Sequence, residues 1–227
     1  MVSKSLNFKR ISIFAGHYGS GKTNIAINYA LELNKSKENV VIADLDIVNP
    51  YFRTKDSEEM LKNCGIRLIS SEFADSNVDL PALPAETYSV TENKDLYAVL
   101  DVGGDDRGAL ALGRYVPAIV EENNYEMFFV VNKYRPLTRD AKSAIEVMQE
   151  IEVAAGTKFT AIVNNSNIGV DTTPEDIEAS VAYAEEISKL TGLPVAFTAV
   201  RSDLADKVEI DNVMPIDIHV TQSWNRE

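Results

Sequence analysis

One cysteine, Cys64, stands in 227 residues, so the chain closes no internal disulfide and builds no metal site from its own thiolates. Long apolar runs are missing too. No stretch approaches the roughly 18 apolar residues that cross a bilayer, and no membrane partner is expected. Met1 to Arg10 carries basic residues, but the apolar run after it, Ile11 to Ala15, leads into glycines and a lysine rather than a cleavage site. A secretory signal is therefore not expected. Positive charge is scarce: 22 Lys and Arg against 35 Asp and Glu leave a formal charge of -13, with no dense basic cluster to override it. A nucleic-acid partner is not expected on such a surface. A cytoplasmic location is the expectation that follows. Internal repeats and low-complexity linkers are also lacking. The length suits one α/β domain over 1–227 with a well-buried core.

Short apolar runs alternate with amphipathic stretches along the whole chain. Ile11 to Ala15 reads as a buried strand, and Thr23 to Asn34 as a helix with Ile25, Tyr29 and Leu33 on one face. Further strands are expected at Val40 to Ala43, Ile66 to Ile69, Leu96 to Leu100, Met127 to Val131, Phe159 to Val163 and Pro194 to Ala199. A helix is expected from Thr138 to Ala155, stopped by Gly156. Another starts at Thr173-Pro174-Glu175, with a capping threonine before a first-turn proline, and stops before Gly192. Strands apolar throughout and separated by helices predict a mostly parallel sheet with helices on both faces. Ligands of such sheets sit at the carboxyl ends of the strands. The segment 51–93, with Pro81 and Pro84, is the least regular. It is expected to be either inert surface loop or a switch or insert that reads a bound ligand.

The chemistry-bearing residues fall at strand ends. Gly16-His17-Tyr18-Gly19-Ser20-Gly21-Lys22-Thr23 fits G-x-x-x-x-G-K-[ST] between a strand and a helix. Glycines let such a loop curl until successive N–H groups point at phosphates, and the helix start adds its positive dipole end. Lys22 is expected on the β- and γ-phosphates and Thr23 on Mg²⁺. Asp44-Leu45-Asp46 ends the second strand; Asp46 is placed to orient an attacking water or hold a metal-bound one, with Asp44 in support. Arg53 is either a phosphate contact or a surface arginine. Asp101-Val102-Gly103-Gly104 ends another strand, as a carboxylate that holds Mg²⁺ does, and Gly104 is free to swing an N–H toward a γ-phosphate. Asn164 ends the strand Phe159 to Val163, where an amide offers a donor and an acceptor to a base edge. Asn132-Lys133-Tyr134-Arg135 lacks the final aspartate of a guanine-reading Asn-Lys-x-Asp, so GTP specificity is not expected. Cys64 is expected as a buried or half-buried apolar residue, and His17 and His219 are too far apart in sequence to suggest a metal pair.

Gly16 to Thr23, Asp44 to Pro50 and Val99 to Gly104 together resemble the MinD/ParA-like branch of P-loop ATPases, that is, the CobQ/CobB/MinD/ParA nucleotide-binding domain. The resemblance implies ATP with Mg²⁺ and switch segments at Asp44–Pro50 and Asp101–Gly104. It also implies base contact at Asn164 and often a nucleotide-sandwich homodimer. Where this branch usually carries a second loop lysine, the chain has His17, a residue without that fixed charge. The paired cysteines of iron–sulfur-carrying relatives and a basic amphipathic tail over Ile216 to Glu227 are absent. The function expected is that of a slow ATPase acting as a nucleotide-dependent switch on a protein partner. Lys22 and Asp46 are its catalytic residues, and Thr23, Asp46 and Asp101 hold the metal. The alternative is a small-molecule kinase or ATP-dependent ligase with a substrate pocket in Tyr51 to Asn93.

Overall fold

Strands that are apolar on both faces bury themselves only between two layers of helix, and the chain adopts that arrangement. The computed structural model describes residues 8–46, 57–70, 85–104 and 106–220. Among these residues eight strands form one sheet in the order β3-β2-β4-β1-β5-β6-β7-β8. They are β1 (Ile11–Ala15), β2 (Val40–Asp44), β3 (Arg67–Ile69), β4 (Tyr97–Asp101), β5 (Tyr125–Val131), β6 (Ala161–Asn164), β7 (Val195–Arg201) and β8 (Val213–Ile216). Every neighbouring pair runs parallel. The carboxyl ends of all eight therefore open on the same side.

Alternate residues feed two cores. On one face Phe14, Ile42, Val99, Phe128, Val163 and Phe197 pack against α1 (Lys22–Asn34) and α2 (Glu58–Asn63). Ile25, Tyr29 and Leu33 of α1 are buried there, as the helical period predicts. Tyr29 meets the Phe14 ring edge-on at 5.1 Å, and the Phe14 and Phe128 rings stack at 4.9 Å. Burial of each such ring contributes about 1.5–3 kcal/mol. The opposite face carries Ile13, Ala43, Leu100 and Phe129 beneath α4 (Asp106–Gly113), α5 (Val116–Glu122), α6 (Ala141–Ala155) and α7 (Pro174–Thr191).

Several elements differ from the sequence expectation. The part of 51–93 that is described is not irregular: it holds α2, β3, a 3₁₀ turn at Ala85–Tyr88 and α3 (Ser89–Glu92). Arg53, Pro81 and Pro84 lie outside the described residues. The helix expected from Thr138 begins at Ala141, because the Asp140 carboxylate caps it by accepting from Ser143 N at 2.9 Å. The Thr138 hydroxyl is used elsewhere, donating to Asn132 O at 2.8 Å. Cys64 is exposed, since it caps the short α2 at the surface. The expected boundaries hold for α7, where Thr173 and Asp176 form a reciprocal capping box and Gly192 ends the helix.

The segment after β8 folds back onto α1. Asn28 accepts from Asp217 N at 2.9 Å and donates to Asp217 O at 2.8 Å, while Asn24 accepts from His219 N and Val220 N and donates to Val220 O. Asn24 directly follows Thr23 of the glycine-rich loop. No helix among the described residues is long and apolar enough to cross a membrane.

Candidate functional site

β1 is interior to the sheet, between β4 and β5, and the loop after it therefore emerges among other strand tips. The loop is curled on itself: Ser20 N donates to His17 O at 3.1 Å, and the Lys22 ammonium donates to the same oxygen at 3.2 Å. Gly21 is left-handed, with φ +87°, and a Cβ there would overlap the Asn165 amide. Only glycine fits both demands. The Asn165 side chain occupies that space and donates to Ser20 O at 2.6 Å. The Ser20 hydroxyl is buried with no hydrogen-bond partner among the described residues.

Register places the acids. Asp101 lies opposite Phe14 of β1 on one side and opposite Asp44 of β2 on the other. The ladder continues past it through Leu45 N to Asp101 O at 2.8 Å and Val102 N to Phe14 O at 3.0 Å. The Asp44 carboxylate accepts from Asp46 N at 2.9 Å, which turns the chain after β2. Asp46 then rests against the loop after β4: a Cβ on Gly103 would lie 3.1 Å from its Oδ1. Gly104 approaches the glycine-rich loop so closely that a Cβ would stand 2.6 Å from Tyr18 N and 3.0 Å from the Lys22 ammonium nitrogen. Lys22, Asp44 and Asp101 are 7%, 7% and 2% exposed. Charges are withdrawn from water to that extent only where other charges or polar groups meet them.

The structure thus brings together Gly16 to Thr23, Asp44, Asp46, Asp101 and Gly104. Asn164 is placed differently from the expectation. It is fully buried, its Nδ2 donates to Ser180 Oγ at 2.8 Å, and its Oδ1 accepts from Ser166 Oγ at 2.7 Å and Ser166 N at 3.3 Å. Its amide is spent inside the protein, and the neighbouring Asn165 is the one that touches the loop.

Sequence reasoning weighed Asn132-Lys133-Tyr134-Arg135 of the β5–α6 connection only as a guanine-reading motif and missed its bracing role. Asn132, 1% exposed, organises it: Oδ1 accepts from Tyr134 N at 2.9 Å and Asn167 N at 3.3 Å, and Nδ2 donates to Asn167 O at 3.1 Å. Lys133 N donates to Ser166 Oγ, Tyr134 OH to Asp176 O, and Tyr183 OH to Thr138 O at 2.6 Å. Burial pushes the Tyr134 and Tyr183 phenols up, so both stay protonated as donors near neutrality. From this braced connection Arg135 Nε donates to Gly19 O at 2.8 Å.

These features fit a nucleotide with a divalent ion. The curled loop at the start of α1 presents N–H groups and Lys22 to phosphate, and Gly104 leaves the room a side chain would fill. Among the described residues no three His, Cys, Asp or Glu side chains form a metal cluster. Mg²⁺ bound through one or two carboxylates and substrate phosphates needs none.

A parallel sheet with this loop after an interior strand defines a P-loop nucleotide-binding fold. Residues 11–170 match the CobQ/CobB/MinD/ParA nucleotide binding domain, and the chain belongs to that family. No curated protein matches the chain significantly. Solved structures share the fold at low identity. The cell division protein FtsY of Thermotoga maritima aligns at 17% identity and a TM-score of 0.57, over 87% of this chain and 63% of its own. The signal recognition particle receptor FtsY of Elizabethkingia anophelis, in complex with GDP, aligns at 17% and 0.53, over 88% and 60%. The signal recognition particle 54 kDa protein of Aeropyrum pernix, also with GDP, aligns at 13% and 0.52, over 86% and 42%. The chain thus spans about three-fifths of the FtsY chains it matches.

Proposed function

We propose that this chain binds Mg-ATP and acts as a nucleotide-dependent switch that hydrolyses ATP slowly. The observation that carries the reading is the contact among three motifs at one end of the sheet. The loop after β4 rests on both Tyr18 and Asp46, so a γ-phosphate bound by Lys22 would be felt by both carboxylate-bearing segments. In this reading Lys22 neutralises the charge that develops on the transferred phosphoryl group. Thr23 and Asp101 would hold Mg²⁺, which would neutralise phosphate charge; Asp46 would orient the attacking water or hold one on the metal, and Gly104 would turn its N–H to the γ-phosphate. The base lies against the tip of β6, where Asn165 rather than Asn164 faces the loop.

The preference for ATP rests on the resemblance and on the tips of β5 and β6. Neither Asn132-Lys133-Tyr134-Arg135 nor Asn164-Asn165-Ser166-Asn167 offers the acid that would accept from guanine. GDP in the fold relatives makes GTP the competitor to measure. A protein partner, a nucleotide-dependent homodimer and a cytoplasmic location belong to the same proposal.

Calorimetric titration with Mg-ATP, Mg-ADP and Mg-GTP, on the natural chain and on Lys22→Ala, tests it. Lys22→Ala is expected to bind Mg-ATP at least about tenfold more weakly. Equal affinity in the two proteins sinks the phosphate-site assignment, and tighter GTP than ATP reassigns the base. Light scattering with a non-hydrolysable analogue reads the homodimer.

A further inference from the structure

We propose that Arg135, in the β5–α6 connection, is a positioning residue for the phosphate-binding loop. It fixes the Gly19–Ser20 peptide so that its N–H closes the curl of the loop on His17 O. The inference rests on the nucleotide-binding reading above and deepens it.

A trans peptide is planar, and its C=O and N–H point in opposite directions. The Gly19 carbonyl accepts from Arg135 Nε at 2.8 Å. Holding that oxygen outward turns the N–H of the same peptide, on Ser20, into the curl of the loop, where it meets His17 O at 3.1 Å. The next peptide is fixed in the same sense by Asn165 Nδ2 on Ser20 O, which sends Gly21 N–H inward. The first N–H closes the curl on His17 O, and the second lies on the side from which such a loop meets an anion. Without the outer donors, either peptide could rotate and point a carbonyl at a phosphate, which would repel it.

Arg135 suits this task through its own anchoring. Its N–H donates to Asn132 O and its carbonyl accepts from Thr138 N, both at 3.1 Å, and Asn132 is the buried hub of the connection. The guanidinium lies beside Gly19: a Cβ there would be 3.6 Å from Nε and 3.8 Å from Cζ. The only hydrogen bond the side chain makes to described residues is the one to Gly19 O. A fixed cation thus stands against a loop whose second position is His17. Its hydrogen bond is a charged one, stronger than a neutral pair and directional.

The test uses the full chain with Arg135→Ala and Arg135→Lys. Amide exchange of Ser20 in the nucleotide-free protein reads the loop directly and needs no ligand. Exchange about tenfold faster in both variants is expected, because an ammonium lacks the planar Nε donor. Mg-ATP affinity is expected to fall about tenfold in the same variants, with the melting temperature within about 2 °C of the natural chain. Unchanged Ser20 exchange in Arg135→Ala, full rescue by lysine, or a loss that tracks a lowered melting temperature overturns the role. Should the natural chain bind no nucleotide at all, the functional reading fails, while the exchange measurement still decides the role of Arg135.

Discussion

Arg10 is the residue whose removal the structure prices most directly. It precedes β1, is 4% exposed, and places its Nε and Nη2 on the two carboxylate oxygens of Glu122 at the end of α5. Its Nη1 donates to Val90 O at 2.9 Å and Leu96 O at 3.0 Å. Arg10→Met keeps the apolar stem and strands Glu122 and three carbonyls, those of Val90, Leu96 and, at 3.4 Å, Asn93. Breaking a buried ion pair by removing one partner costs about 3–5 kcal/mol. Lys94 still reaches Glu122 at 2.7 Å and the Glu122 side chain is 14% exposed, which places the loss near the bottom of that range, about 3 kcal/mol. Urea unfolding at pH 7 should show the midpoint lowered by about 1 M or more. The pH dependence has a sign. Hydrogen bonding from Arg10 holds the Glu122 carboxyl below its ordinary value. A depressed carboxylate stabilises the fold above its unfolded pKa, and that stability is lost as pH falls through the depressed value. The gap between natural chain and variant should therefore be full at pH 7 and narrow as pH drops below about 4.5. A loss under about 1 kcal/mol at pH 7, or a gap that does not change with pH, refutes the reasoning.

Three further outcomes are expected. Gly104→Ala puts a methyl 2.7 Å from Tyr18 Cα, so the loop after β4 must withdraw. Stability should fall by about 1–3 kcal/mol and Mg-nucleotide affinity with it; calorimetry that finds both unchanged contradicts the packing of the two loops. Asn164→Asp removes the donor to Ser180 and buries a charge in a fully enclosed position. Chemical denaturation should show a loss of about 3 kcal/mol or more, and tolerance of the change would deny that the amide is spent internally. Thr173→Ala deletes the acceptor for Asp176 N at the start of α7; a loss of about 1 kcal/mol is expected, and a thermal shift of about 2–4 °C reads it.

The loop Gly16 to Thr23 was legible because its chemistry is local: spacing alone sets which N–H groups and which lysine meet. Asp44 and Asp101 were legible because each ends an apolar run, and parallel pairing then brings strand tips together. The choice between Asn164 and Asn165 was not. A one-residue difference in where β6 ends turns one amide toward Ser180 and the next toward Ser20, since successive strand residues face opposite sides. β8 escaped notice because it is a four-residue edge strand containing Pro215, a residue tolerated there only because the outer edge needs no donor. The tie from Arg135 to Gly19 joins residues 116 apart in sequence, and no local pattern announces such a pair.

The asparagines of α1 add a temporal dimension. Asn24 and Asn28 bind backbone that lies 196 and 189 positions later in the chain. During vectorial synthesis the helix that begins the phosphate site waits, with two amides unsatisfied by their eventual acceptors, until residues 217–220 leave the ribosome. Contacts of such sequence separation close late and slow the approach to the native state. A nascent chain already carrying the whole glycine-rich loop would thus complete the helix behind it only after residues 217–220 have emerged.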